Sequence, residues 1–155
     1  MKAVWFDDKV LAAVKTIGEE AIKESCVAVT ANVRDSMIEG TGRMWPSKVP
    51  GQGLHQASVP GVPPAPDTGD LNGSISWVTS GGESGGAESG DSKISPIIYG
   101  NNIQAIFGRV GTTNDNGVRH ELGLTWYSAK RPFLRPQLKQ NTSEILNIFK
   151  KYLGK

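Results

Sequence analysis

The chain has 155 residues and a formal net charge of +2. Its length favours one domain that buries enough surface to fold without disulfides or metals. Its single cysteine, Cys26, excludes an internal disulfide, and the apolar pattern around it predicts a small buried side chain. No apolar run approaches the ~20 residues that a membrane span needs, and residues 1–8 do not resemble a signal peptide. We therefore expect no membrane association and a protein that is soluble in the cytoplasm when it is made.

The charges are distributed unevenly along the chain. Residues 1–92 contain 7 Lys or Arg and 12 Asp or Glu, whereas residues 93–155 contain 10 and 3. A basic C-terminal part of this kind can bind nucleic acid. It can equally pair with the acidic part of another copy, dock on an acidic partner, or form an ordinary solvated surface.

Residues 8–39 predict one long helix, because apolar or small residues recur in alternating steps of three and four. Asp7 is the expected N-cap and Gly40 the expected stop after the last turn. Such a helix would be about 48 Å long. Its apolar stripe either packs entirely on the chain's own sheet or partly faces a neighbouring subunit.

Residues 40–68 hold six of the nine prolines and show no periodicity, so we expect an irregular arm without helix or central strand. Residues 62–66 predict a stiff polyproline II segment. The arm is either a generic linker or an element that reaches another protein.

Three strands are expected in the middle of the chain, at residues 74–79, 93–99 and 103–111. The last two are joined by a tight turn at Asn101 and Asn102, and the 103–111 strand is apolar enough to be central. Between the first two, residues 80–92 are mostly Gly, Ser and acidic residues, which predicts a flexible loop. This loop lacks the Lys and the following helix of a phosphate-binding loop, so no nucleotide cofactor is expected.

The C-terminal third predicts a turn at 112–117, a short helix at 118–123 that ends at Gly123, and a final amphipathic helix that ends at Gly154. Residues on one face of that helix are Leu138, Thr142, Ile145, Leu146, Phe149, Tyr152 and Leu153. The predicted fold class is α+β: a long N-terminal helix, an antiparallel sheet of three to four strands with helices on one side, and a C-terminal helix, in a single domain spanning 1–155.

A stiff elbow, residues 131–136 with the sequence RPFLRP, precedes the final helix. Each proline disfavours the helical region for the residue before it, so Arg131 and Arg135 are expected to be extended. Pro136 suits the first turn of the helix. The elbow would point Phe133 and Leu134 in fixed, roughly opposite directions.

No residue pattern in the chain predicts catalysis, a cofactor or a metal site. His120 and Glu121 resemble the start of a zinc-protease motif, but the position of its second histidine is occupied by Leu124. The two histidines and one cysteine are far apart in sequence, which disfavours a structural zinc site. We expect a protein that is not an enzyme, and a hydrolase built on His120 and Glu121 is the reading least favoured.

Three segments together resemble a known family, the head–tail joining or tail-completion (neck) proteins of long-tailed bacteriophages. They are PPAPDTGDLNGSI at 63–75, HELG at 120–123 and RPFLRPQL at 131–138, and a long N-terminal helix precedes them as in that family. The chain departs from the family pattern at three positions. It has His120 where an aromatic residue is common in the family and Asn72 where a basic residue is common. Leu124 separates the Gly and the Thr that are adjacent in the family. The loop at 80–92 resembles an insertion.

The resemblance implies a structural virion protein. Copies would form a homo-oligomeric ring at the head–tail junction, between portal or adaptor proteins and tail-tube or tail-terminator proteins, with DNA passing through the lumen without sequence-specific binding. The location would be the virion, and the host cytoplasm during assembly. The alternative function is a nucleic-acid-binding module that uses the basic C-terminal part.

The candidate interface residues are Arg131, Phe133, Leu134 and Arg135 of the elbow, together with His120 and Glu121. In the ring reading, the two arginines bind carboxylates at a subunit or partner contact, and Phe133 and Leu134 anchor the elbow in apolar pockets. In the alternative reading, the arginines only cap and solvate the fold.

Overall fold

A computed structural model describes residues 8–38, 40–86, 106–112, 114–123 and 129–154. Its elements are α1 (Asp8–Asp35), β1 (Met44–Pro46), β2 (Leu54–Gln56), α2 (Asp70–Gly73), β3 (Ser76–Thr79), β4 (Ser84–Gly85), β5 (Gly108–Gly111), α3 (Asp115–Leu122), α4 (Leu134–Gln140) and α5 (Thr142–Leu153). The fold is α+β with antiparallel sheets of two and three strands, which confirms the predicted class. The predicted strand at 93–99, its turn at Asn101 and Asn102, and the Asp7 cap lie outside the described residues.

The three-stranded sheet has the order β4-β3-β5, with both pairings antiparallel. All four residues of β3 are buried, and β3 lies in the middle of the described sheet, where the sequence placed the 103–111 strand. Part of the predicted loop at 80–92 is therefore ordered, because β4 pairs with β3 and the Thr79 N–H donates to the Glu83 carbonyl at 2.8 Å.

The core is a cluster in which α1, the residue just before β3 and the elbow meet. Its buried members are Val29, Val33, Met37, Ile75 and Phe133, and Leu71, Val110, Leu134 and Ile145 pack around them. The apolar stripe of α1 from Ala21 onward thus faces the chain's own sheet and C-terminal helices. Val10 and Val14, nearer the start of α1, are exposed. Contact between these turns and a neighbouring subunit remains a prediction.

Helix α1 ends at Asp35, so the prediction that it runs to residue 39 was wrong. The Asn72 Nδ2 donates to the Arg34 carbonyl at 2.9 Å and takes up an acceptor at the end of the helix. The chain then turns so that Met37 enters the core. Gly40 has a different role from the expected helix stop: a Cβ there would overlap the Gln56 carbonyl, so glycine permits close contact with the arm.

The arm at 40–68 is not irregular throughout, because β1 and β2 form an antiparallel hairpin in which Trp45 pairs with His55. Its base is closed by two backbone hydrogen bonds, from Gly42 N–H to the Ala57 carbonyl at 2.7 Å and from Ala57 N–H to the Arg43 carbonyl at 3.0 Å. Proline density does not prevent this, since Pro46 is the last residue of a strand in an isolated two-stranded sheet.

The predicted final helix is two helices, α4 and α5, separated at Asn141. Asn141 is buried; its Nδ2 donates to the Gln137 carbonyl at 2.7 Å and its Oδ1 accepts from the Asn32 Nδ2 of α1. Of the predicted apolar face, Ile145, Phe149 and Tyr152 are half-buried, whereas Leu138, Leu146 and Leu153 are exposed. Ile148, which was not placed on that face, is the buried residue of α5.

Helix α3 begins at Asp115, three residues before the predicted start. The Asn114 side chain accepts a hydrogen bond from the Asn116 N–H at 2.9 Å and caps the first turn. Gly117, expected in a turn, is instead buried in the helix beside Phe133. The predicted end is confirmed, because Gly123 has the left-handed conformation at φ 66°.

Candidate functional site

A buried carboxylate holds the elbow. Glu121, at the end of α3, is 7% exposed, and its Oε2 accepts from the N–H groups of Phe133 at 2.8 Å and Leu134 at 3.0 Å. Its Oε1 accepts from the Arg135 N–H at 3.1 Å. These are the N–H groups at the start of α4, where a negative charge also meets the positive end of the helix dipole. Two of the three segments that carry the family resemblance therefore form one structural unit.

This arrangement explains why Arg135 is helical, although the sequence predicts an extended conformation. Arg135 is the second residue of α4 and Pro136 the third. The missing N–H of Pro136 costs nothing in the first turn, as predicted. The preference of a residue before proline for extended conformations is modest, and the hydrogen bonds that Leu134 and Arg135 N–H donate to Glu121 outweigh it.

The elbow residues do not lie on one surface. Phe133 is 0% exposed and belongs to the core, and Leu134 packs partly buried against that core. The Arg135 side chain is largely exposed, with its Nε 3.9 Å from Glu121 Oε1. Phe133 and Leu134 thus fill apolar pockets within their own chain, whereas Arg135 is accessible.

His120 and Arg131 lie together in the wall of a different feature, which we call the arm groove. It is a cavity of about 740 Å³ between the arm and α3. The arm contributes Trp45, Pro46, Lys48, His55, Ser58, Pro64 and Asp67, and the opposite side contributes Asp70, Asn116, Arg119, His120 and Arg131. The groove therefore combines three cationic side chains, two carboxylates and two imidazoles.

Arg131 connects the arm to the elbow. Its N–H donates to the His120 carbonyl at 2.8 Å, and its guanidinium Nε donates to the Ser58 carbonyl at 3.0 Å. A further bond runs from Nη1 to the Ala129 carbonyl at 3.3 Å. Within the described residues Arg131 thus binds carbonyl groups, which favours the capping role and fixes the guanidinium in the groove wall.

Asp67 and Ser58 were not singled out from the sequence. Asp67 accepts hydrogen bonds from Ser47 Oγ and from the Lys48 N–H at 2.9 Å, and these bonds hold the pKa of its carboxyl below the usual value. Asp67 follows the proline run and precedes Thr68-Gly69, a context typical of a turn, so only the hairpin geometry reveals its place in the groove.

Burial, and then the nearby positive charge of Arg131, lowers the pKa of His120 below its ordinary value of 6.5. The His120 Nδ1 is buried and has no hydrogen-bond partner in the part of the chain that the structure describes. Since the folded state disfavours the protonated ring, the unfolded state binds more protons as the pH falls below 6.5.

We therefore expect the stability of the wild-type protein to rise with pH from the lowered pKa of His120 up to 6.5 and to gain nothing further from this group above 6.5. Its contribution to the slope is at most about 1.4 kcal/mol per pH unit. Urea unfolding at several pH values, compared between wild type and His120→Gln, measures that contribution. Identical slopes for the two proteins would show that His120 does not titrate abnormally.

A second, apolar cavity of about 620 Å³ lies between α1, β5 and the C-terminal helices, lined by residues that include Ile22, Cys26, Val110, Leu138 and Phe149. Cys26 is buried as predicted, and burial raises the pKa of its thiol to about 11. The thiol is therefore protonated at neutral pH and a poor nucleophile.

Within the described residues, no group of three or more His, Cys, Asp or Glu side chains is arranged to hold a metal ion. None of the helices described above has both the length and the apolar character that crossing a membrane requires. Comparisons with protein-family models, with curated proteins and with solved structures gave no match to this chain.

Proposed function

We propose that the chain is a structural virion protein that forms a ring joining the DNA-filled head of a phage to its tail. The observation that carries this proposal is the exposure of large apolar side chains on the arm, Met44, Trp45 and Leu54, and of Ile38 just before it, with Trp45 50% exposed. An isolated two-stranded hairpin is only marginally stable in water, and large exposed apolar side chains on it indicate a surface that a partner covers.

Further exposed apolar side chains, Leu138, Leu146 and Leu153, lie on the C-terminal helices. These residues and those of the arm belong to different elements, so a contact between copies need not be self-complementary. A contact between unlike surfaces is heterologous, and it generates a closed ring when the rotation between copies permits. A ring is therefore one assembly that these exposed side chains can support.

The segments that resemble neck proteins also support the proposal through their packing. Leu71 of the first segment packs against the core that contains Phe133 of the third, and Glu121 of the second binds the elbow backbone. The resemblance thus rests on residues that depend on each other in this fold. The proposed partners are portal or adaptor proteins on one side and tail-tube or tail-terminator proteins on the other.

The alternative, a nucleic-acid-binding module, has less support. Two basic side chains of the C-terminal part are engaged within the chain: Lys151 lies 2.8 Å from Glu24, and Arg131 binds the Ser58 carbonyl. We infer that DNA passes through the ring without sequence-specific contacts.

The proposal is tested by producing particles without the protein. We expect filled heads and separate tails, because the junction between them is missing, and electron microscopy of the lysate distinguishes these from complete virions. Normal infectious virions in the absence of the protein would refute the proposal.

The arm is tested by supplying variants to particles that lack the protein. Trp45→Ser is expected to reduce the yield of infectious particles at least about tenfold, since burying an indole at a contact contributes roughly 2–4 kcal/mol. Val118→Ser, which changes an exposed apolar residue of α3, is the control and is expected to restore the yield. Full restoration by Trp45→Ser would exclude the arm surface from assembly.

A further inference from the structure

Two buried polar atoms in the arm groove have no hydrogen-bond partner in the residues described: Ser58 Oγ and His120 Nδ1. Ser58 is 6% exposed, and both residues line the same cavity. A buried polar atom without a partner costs about 1–3 kcal/mol. Because both residues belong to the wall of the arm groove, a molecule bound there can supply the missing hydrogen-bonding groups.

The side chains around these two atoms favour an anionic group. Arg119 and Arg131 line the same side of the groove as His120, and Arg131 is held in place by its bonds to the Ser58 and Ala129 carbonyls. A fixed guanidinium loses little conformational entropy when it binds a carboxylate, and the two can pair through parallel hydrogen bonds. The volume of about 740 Å³ lies within the range of cavities that enclose ligands.

Two further residues distinguish between possible ligands. Asp67 and Asp70 line the groove as well, and Asp67 stays ionised because Ser47 and Lys48 donate to it. These two carboxylates find no hydrogen-bond donor on the sugar–phosphate backbone of DNA. They can accept hydrogen bonds from the N–H groups of a peptide, so a peptide matches both sides of the groove.

We propose that the arm groove binds an extended peptide segment of a partner protein, with an Asp or Glu side chain placed between Arg119, Arg131, Ser58 and His120. This deepens the proposed function, since the segment would belong to another protein of the head–tail junction. The recognised chemistry is a carboxylate on a peptide backbone rather than a free anion or a nucleic acid.

Fluorescence anisotropy of a fluorescein-labelled hexaglutamate peptide with the full chain tests the inference. We expect saturable binding of hexaglutamate and no binding of hexaglutamine. Arg119→Gln and Ser58→Ala are expected to weaken hexaglutamate binding, Arg119→Gln by about tenfold, because it removes a charge-assisted hydrogen bond. Lys150→Gln removes an equal charge from the exposed side of α5 and is expected to leave binding unchanged.

Each contrary result overturns the inference: no binding of hexaglutamate, equal binding of hexaglutamine, an equal loss of hexaglutamate affinity in Arg119→Gln and Lys150→Gln, or tighter binding of a hexathymidylate oligonucleotide at the same groove.

A measurement on the wild type avoids any folding defect of the variants. Because the bound carboxylate would face His120 together with Arg119 and Arg131, hexaglutamate should shift the ring resonances of His120 in NMR spectra. Unmoved resonances would contradict the placement. These peptide tests do not depend on particle assembly, so their failure leaves the deletion experiment to decide the ring function separately.

Discussion

Phe133→Ala is expected to lower the free energy of unfolding by about 3–5 kcal/mol, since it removes a fully buried ring and leaves a cavity. Phe133 is 0% exposed and contacts the core cluster that includes Val33 and Ile75. Urea unfolding followed by circular dichroism measures the change. The size of the effect reflects the packing of α1 and Ile75 around this single side chain of the elbow.

Two further variants control for the Phe133 prediction. Phe133→Leu keeps most of the apolar volume and is expected to cost only about 1–2 kcal/mol. Leu146→Ala, on an exposed position of α5, is expected to change stability by about 0.5 kcal/mol or less. A Phe133→Ala protein as stable as Leu146→Ala would mean that the elbow does not contribute to the core.

Glu121→Ala is expected to lower the free energy of unfolding by about 3 kcal/mol, because it leaves the N–H groups of Phe133, Leu134 and Arg135 without their acceptor. Glu121→Gln keeps one oxygen acceptor but loses the charge, so it should cost less, about 1–2 kcal/mol. Thermal and urea unfolding give both values. Hydrogen exchange at the amide of Leu134 reports directly on the loss of protection at the start of α4.

The matched control is Glu19→Gln, which removes a half-exposed carboxylate from the surface of α1. Glu19 lies 3.8 Å from Lys15 in a surface pair, and such pairs contribute about 0.5 kcal/mol or less. An equal decrease in the free energy of unfolding for Glu121→Gln and Glu19→Gln would show that the elbow is held by its prolines alone.

Features of the fold that depend only on residues close together in the sequence could be predicted. The apolar period of α1 and the left-handed Gly123 at the end of α3 follow from local geometry, and both are present in the structure. The break between α4 and α5 could not be predicted, because its cause lies 109 residues away: Asn141 binds Asn32 of α1. Within α5 the buried and half-buried residues, Ile145, Ile148, Phe149 and Tyr152, still follow the helical period.

The same difference between local features and long-range contacts applies to the candidate site. His120 and Arg131 were selected from the sequence, and the structure brings them together, but Phe133 and Glu121 turn out to stabilise the fold. The hairpin within the arm was missed because proline density indicated irregular chain. Without the hairpin, neither the groove nor the place of Ser58 and Asp67 in it can be inferred.

The closed base of the arm has a consequence for how its length can vary. Residues 42 and 57 are joined by a backbone hydrogen bond, and Gly40 contacts the strand that returns from the hairpin. The chain therefore leaves the domain and re-enters it at the same point. Lengthening a loop between fixed ends costs only about 0.6 kcal/mol per doubling. Insertions or deletions at the tip of the hairpin can change the reach of the arm while the core keeps its packing, which would let one domain fit neighbours of different size.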